Sequence, residues 1–367
     1  MKQETIINMI SLFVVIVAVL LISAAIFAIA NVNPIEAFGH MVRGALGRSE
    51  GLSETVARAI PLLFAALGIL VAFKGGLWNV GAEGQFYMGA VGATYVALNM
   101  SLPQPLHIIA MMLFAFIFAA MWGGLAGFLK IKFGANEILT TLMLNYVAIW
   151  FTHYLCFGPW RDVSRVITAT AWFPETARLS RLVTGYRVHT GIFWALGVTI
   201  LIYLLFKYTR LGQTIKVMGC NQNAARYSGI NIGKTIIITM LISGGIAGLA
   251  GAAEVSGIYY CLRNGSYPIS PGYGFYAIGA ALLANLSVIG TVFAAFLFGA
   301  LLTGAAYLKT MTGLHAHSVN FMVGLLILAV LARNVFVKMI TKAIYSKKAV
   351  TPDKKLSDNR IKDDNKG

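Results

Sequence analysis

The chain has 367 residues, 58% of them hydrophobic and 11% charged, with mean hydropathy +0.76. Soluble domains carry about 25% charged residues, so these charges cannot cover a water-facing surface, and the composition excludes a soluble domain in favour of a polytopic, all-α membrane protein. The net charge of +16 is uneven. Ten of the 29 Lys and Arg lie in 333–366, with four Asp among them, as expected of a cytoplasmic tail beside anionic lipid and not of a nucleic-acid surface.

A span needs about 20 apolar residues as a helix. Ten segments are expected: 6–30, 60–73, 86–102, 106–129, 138–157, 190–206, 235–258, 275–289, 291–308 and 319–337. They make a membrane domain over 1–340 and leave 341–367 as the basic tail. The first segment is uncharged over 25 residues, too long for a signal-peptide core, and lacks a convincing processing site. The second offers 14 residues, about 21 Å of helix, and cannot cross alone.

The stretch GGLWNVGAEGQ, residues 75–85, then breaks the apolar pattern with four glycines, a carboxylate and two amides. Irregular backbone survives in a membrane only where protein or a water-filled cavity surrounds it, and intramembrane acids such as Glu83 face a bundle interior or a pathway. The stretch is therefore either a helix break lining a polar cavity or a loop at the cytoplasmic face beside Lys74. Further on, Asn136 is placed to cap a helix with Glu137 in its first turn. Asn145, mid-span, must find a partner.

Short loops rich in Lys and Arg face the cytoplasm. Residues 207–234 hold Lys207, Arg210, Lys216, Arg226 and Lys234 and no acid, and Lys130 and Lys132 mark another inner turn. Ten crossings then put both termini inside. Residues 158–190, with five Arg, fall outside against the rule. Gly233-Lys234-Thr235 resembles the end of a phosphate-binding loop, but Ser228 stands where the first Gly is required and no strand precedes it. Glu254, near the outer end of 235–258, is either a transport residue or a partner within or between subunits. Residues 259–276, with Arg263, Asn264, Tyr267, Pro268 and Pro271, form an expected outer mouth. Short, Gly-rich segments after 60–73 and at 275–289 echo each other, as in inverted-repeat transporters whose pathway runs between broken helices. Cys156, Cys220 and Cys261 show no pairing or metal spacing, and His315 and His317 lack further ligands. No catalytic or metal set is evident.

Four ordered stretches, GLWNVGAEGQ, NEILTTLMLNYVA, GCNQNAARYSGIN and SPGYGFYAIGAALLANLSVIG, resemble membrane permeases of bacterial ABC importers in the branched-chain amino acid/ribose superfamily, nearest the nucleoside and simple-sugar branch. The resemblance runs from about residue 60 to 337. Trp78 and Val80 replace the usual Phe and Ile, and Asn285 stands where Gly is common. It implies a type II importer-like fold in the bacterial cytoplasmic membrane, with no cofactor on this chain. ATP and Mg would be held by a separate cytoplasmic ATPase. An extracytoplasmic lipoprotein would deliver substrate, and a second, different permease would complete a heterodimer. Asn223, Ala224, Ala225, Arg226, Tyr227, Ser228 and Gly229 would form the coupling helix, with the small alanines seated against the ATPase. Trp78, Asn79, Glu83, Gln85 and Asn145 are expected to line or support the pathway from the first half, and Tyr273, Phe275 and Asn285 from the second. A nucleoside is the favoured substrate and a simple sugar the alternative. An ion-coupled secondary transporter would leave the basic 207–234 loop unexplained.

Overall fold

The computed structural model describes residues 31–265 and 268–313, with 17, 21–25, 27–29, 321 and 324. Most of the expected span 6–30, nearly all of 319–337, the tail 341–367, His315, His317 and Tyr267 lie outside the described residues. All packing below belongs to the compact unit Glu36–Val319.

Eleven helices are described: α1 Pro34–Leu46, α2 Ser49–Lys74, α3 Ala82–Asn99, α4 Gln104–Phe133, α5 Glu137–Phe157, α6 Gly191–Tyr208, α7 Arg210–Cys220, α8 Gln222–Tyr227, α9 Ile232–Glu254, α10 Tyr273–Leu283 and α11 Val288–Thr312. A 3-10 turn covers Glu175–Ala177, and a π turn over Val255–Tyr259 continues α9. Among the described residues there is no strand, only isolated bridges joining Ala169 to Arg263 and Arg181 to His189. Among the described residues, six helices are long and apolar enough to cross a membrane: α2, α4, α5, α6, α9 with its π turn, and α11.

The structure differs from the expected spans most at 60–73 and 275–289. The first belongs to the 26-residue α2, which continues through Pro61. Its polar start is tolerated because Arg58 Nε donates to Glu54 Oε1 four residues earlier, at 2.9 Å. The break in the first half thus follows this helix instead of shortening it. The second ends as the 11-residue α10, about 16 Å long. It stops where Asn285 and Leu286 take positive φ, and α11 starts afresh from the Ser287 cap.

Helix α9 is the hub, packed on α2, α3 and α4. Lipid gives no hydrophobic drive for helices to associate, so close backbone approach must supply the attraction. Gly89 of α3 and Gly248 of α9 provide it: a Cβ on Gly89 would strike the Gly248 backbone. The two basic loops cap opposite ends of α2. Arg187, in 158–190, donates to Glu54 near its start at 3.0 Å, whereas Gly219, in 207–234, backs onto residues 74–76 at its end. The 158–190 segment is pinned through Thr170 N–H to Leu262 O, Phe173 N–H to Tyr260 O and Leu179 N–H to Ser256 O, at 2.8–2.9 Å.

Candidate functional site

The non-helical backbone between α2 and α3 enters the bundle. Asn79 is fully buried and reaches Ser243, 11 residues past the start of α9 at Ile232, about 16 Å deep at 1.5 Å per residue. Side-chain amides replace the hydrogen bonds a helix would supply. Asn79 Nδ2 donates to Gln85 Oε1 at 3.0 Å and to Ser243 Oγ at 2.8 Å, while its Oδ1 accepts from Gln85 Nε2 and from Gly81 N–H. Asn145 of α5 accepts from Gly84 N–H at 2.7 Å and donates to Val80 O at 2.9 Å. Thr141 Oγ1 accepts from Val80 N–H. In GGLWNVGAEGQ the non-helical backbone covers 75–81 and residues 82–85 already belong to α3; the buried end of the break, from Asn79, is held by protein groups, and neither of the two cavities described below is lined by 75–85.

Glu83 then joins α3 to the short helix α10. Its Oε2 accepts from Gly274 N–H at 2.7 Å, so a carboxylate from the first turn of α3 sits at the N-terminus of α10, where helix dipoles favour negative charge. The backbones touch here: a Cβ on Gly274 would collide with Glu83 N. Ser270 completes the joint. Its hydroxyl accepts from Gly272 and Tyr273 N–H and also bonds the Glu83 carboxylate.

Next to this joint is a cavity of about 280 Å³. Arg58, Arg187 and Arg263 face it with Glu54 and Glu254, and the phenols of Tyr259 and Tyr273 add aromatic wall. Arg187 Nη1 reaches both Glu54 oxygens, at 3.0 and 3.2 Å. The Arg263 guanidinium lies 3.7 Å from the Tyr259 ring centre. A second cavity, about 520 Å³, lies between the ends of α1, α2 and α11 and shares Glu54, Arg58 and Arg187. Behind the first cavity, the His189 ring is wedged between Gly191 and Gly257. Its Nδ1 accepts from Gly191 N–H, and burial, aided by Arg187 and Arg181, pushes its pKa down from 6.5 to about 4.

The structure brings Asn79, Gln85 and Asn145 together around the break, sets Glu83 at the joint and puts Tyr273 on the cavity. Trp78 is apart from these, half exposed and against the Phe73 ring at 4.9 Å. Phe275 is partly exposed, and Asn285 occupies an exposed turn after α10. Sequence reading passed over Glu54, Arg58, Arg187, Ser243 and Ser270. The Glu54–Arg58 spacing of four, just ahead of an apolar run, was a readable signal; the serines offered none.

At the other end of α2, α8 is a six-residue helix capped by Asn221, whose side chain accepts from Asn223 and Ala224 N–H. Gly229, at φ +78°, turns the chain away. Asn223, Ala224, Arg226, Ser228 and Gly229 are exposed, and Tyr227 is 93% exposed. Ala225 differs from the expectation that it meets a partner. It is fully buried against this chain, in a cluster with Leu77, Met218, Ile236 and Met240, because a six-residue helix needs one face on the body to be held in place.

Residues 51–331 match the family described as branched-chain amino acid transport system / permease component. The chain belongs to that family. It is a multi-pass membrane permease, a transport component and not an enzyme. The permease is 33% identical to the glucose ABC transporter permease protein TsgB13 of Haloferax volcanii, over 88% of its own length and 86% of the relative's. It is 33% identical to the nucleoside ABC transporter permease protein NupB of Lactococcus lactis, over 78% and 80%, and 31% identical to the guanosine ABC transporter permease protein NupP of Bacillus subtilis, over 87% and 92%. Lactococcus lactis also has NupC, a nucleoside ABC transporter permease protein that matches more weakly, 28% identical over 65% of this chain and 76% of its own.

Proposed function

We propose that this permease is the membrane subunit of an ATP-driven importer, with nucleosides as substrate. The observation that carries the reading is α8, which is fixed to the body through Ala225 and exposes Asn223, Ala224, Arg226 and Tyr227. Such a helix gives a separate ATPase, holding ATP and Mg, something to grip. Arg226 can make charge-assisted hydrogen bonds to a carboxylate or carbonyl on that partner. The Ala225 cluster also contains Leu77, at the start of the break. A push on α8 would therefore reach residues 79–85, Glu83 and α10 through packed groups. The break before α3 and the short helix α10 support a pathway between inverted-repeat halves, lined or supported by Trp78, Asn79, Glu83, Gln85, Asn145, Tyr273, Phe275 and Asn285. The full fold would have ten crossings, with both termini in the cytoplasm of a bacterial inner membrane. One chain supplies one coupling helix, so a second permease is needed. The presence of two nucleoside ABC transporter permease proteins, NupB and NupC, in Lactococcus lactis favours a different chain over a second copy. A substrate-binding lipoprotein would dock at the end carrying Arg263 and Asn264. The alternative substrate, a simple sugar, is favoured by the long match to TsgB13.

The test is uptake of labelled guanosine, uridine, ribose and glucose by the reconstituted complex. Import that needs ATP and survives collapse of the proton gradient supports the reading. Import that follows the proton gradient without ATP would make this a secondary transporter.

A further inference from the structure

We infer that the cavity between Glu254 and Arg263 is a subsite for the hydroxyl pair of a sugar ring. This rests on the transport reading above, and it names the part of the substrate that the permease itself would read.

Glu54 is already matched by Arg58 and Arg187. Glu254 is not. It is 3% exposed, and among the described residues its Oε2 has no hydrogen-bond partner. Nε of Arg263 is likewise buried without one among the described residues, while its guanidinium lies 3.7 Å from the Tyr259 ring centre. A buried carboxylate oxygen and a buried guanidinium N–H that miss each other cost stability unless a third group meets both. That group must donate to Glu254 and accept from Arg263. Three arginines and two glutamates face the cavity and Glu54 is already matched by Arg58 and Arg187, so a simple anion would meet Arg263 but leave Glu254 unmatched, and a simple cation the reverse. A neutral polyol has hydroxyls that donate and accept, and it satisfies both ends. The two substrate classes proposed above share such a ring. The cavity of about 280 Å³ falls just short of the range of ligand pockets, about 300 to 1,000 Å³, room for one ring and not for an oligosaccharide.

The backbone around it is irregular in a way that serves a site. Glu254 closes α9 immediately before the π turn, which brings Ile258 and Tyr259 to the cavity wall, and π turns cluster at functional positions. The far wall includes Tyr273, the first residue of α10, one residue before the Gly274 amide that holds Glu83. An occupant would therefore touch the helix end on which the joint depends.

The experiment uses the complete transport complex in nanodiscs, without the binding lipoprotein, so that only the membrane subunits can select. Ile258→Cys, in a Cys220→Ser background, is labelled with a small polar thiol reagent; Cys156 and Cys261 are buried. Guanosine or D-glucose should slow labelling and 2′,3′-dideoxyguanosine should not. Glu254→Gln should raise the half-protecting concentration about tenfold or more, as expected for the loss of one hydrogen bond to a charged group. Equal protection by dideoxyguanosine, protection by inorganic phosphate instead, or no protection by any polyol would each overturn the assignment. If protection fails while the same complex still imports with ATP, the subsite is wrong and the transport reading stands. If ATP-driven import fails while polyols still protect, the transport reading is wrong and the subsite stands.

Discussion

Asn79 bonds Gln85, Ser243 and the Gly81 amide from one buried side chain. Replacing it with Leu keeps the branched shape and leaves those groups unmatched in a buried site. The expected loss is about 1–3 kcal/mol per orphaned group, read as a lower thermal unfolding temperature in detergent. Asn79→Asp, which keeps the acceptor but sets a buried carboxylate against Gln85 Oε1, should cost at least as much. The sequence announced that Asn145 needed a partner but not that the partner would be the backbone of Val80 and Gly84. That depends on how far the break enters beside α5. His189 makes a separate prediction. Its folded pKa of about 4 is below the usual 6.5, so the unfolded chain takes up the proton first as pH falls. Its stabilising contribution is whole above pH 6.5 and lost as pH drops toward 4, by roughly 3 kcal/mol. Unfolding temperature followed over that range should fall more steeply for wild type than for His189→Gln, which cannot titrate.

At the scale of elements, α8 combines an inward and an outward face in six residues. Arg226→Glu and Tyr227→Ala touch only the exposed side, so both variants should reach the membrane at normal levels. They should lose co-purification with the ATPase and at least about tenfold of substrate-stimulated ATP hydrolysis, the effect of removing a charge-assisted contact. Normal transport by both would remove α8 from the coupling role. Ala225→Trp should act differently. With no space in the Leu77 and Met218 cluster, overpacking of about 1–3 kcal/mol should lower expression or thermal stability before any coupling defect can be read. Helix α10 gives a second case. Gly274→Ala would push a methyl into the Glu83 backbone, forcing α3 and α10 apart, and transport and the thermal unfolding temperature should fall together.

For the whole molecule, the basic loop 207–234 and the loop 158–190 cap opposite ends of α2. Tyr227→Cys and Asp162→Cys, each in a Cys220→Ser background, should be labelled by a membrane-impermeant thiol reagent from opposite sides of oriented vesicles. Labelling of both from one side would refute the arrangement. The five arginines that made 158–190 an awkward outer segment also find roles in the fold: Arg187 pairs with Glu54, Arg178 donates to Phe173 O at 2.9 Å, Arg165 donates to Thr170 O at 2.7 Å and lies over Trp172, Arg181 donates to the Tyr260 hydroxyl at 3.2 Å, and Arg161 lies over the Phe157 ring. Arginines engaged in this way are poorer topology signals than free ones.

The sequence by itself determined the lipid-embedded, all-helical class, because 11% charge cannot hydrate a surface, and it determined the family through four ordered motifs. It also marked the break at 75–85, since glycines and amides are costly in lipid wherever they are not enclosed. Only the tertiary structure decided what the enclosed groups do. The amides are spent on the backbone of the break, Glu83 is given to the end of α10, and Ala225 is turned inward. Glu54, Arg58, Arg187, Glu254 and Arg263 share one cavity, although they are spread over more than half the chain. Their meeting depends on which helices pack on α9 and where its π turn falls, and a hydropathy pattern, which counts apolar residues along one segment, contains no term for contacts between segments.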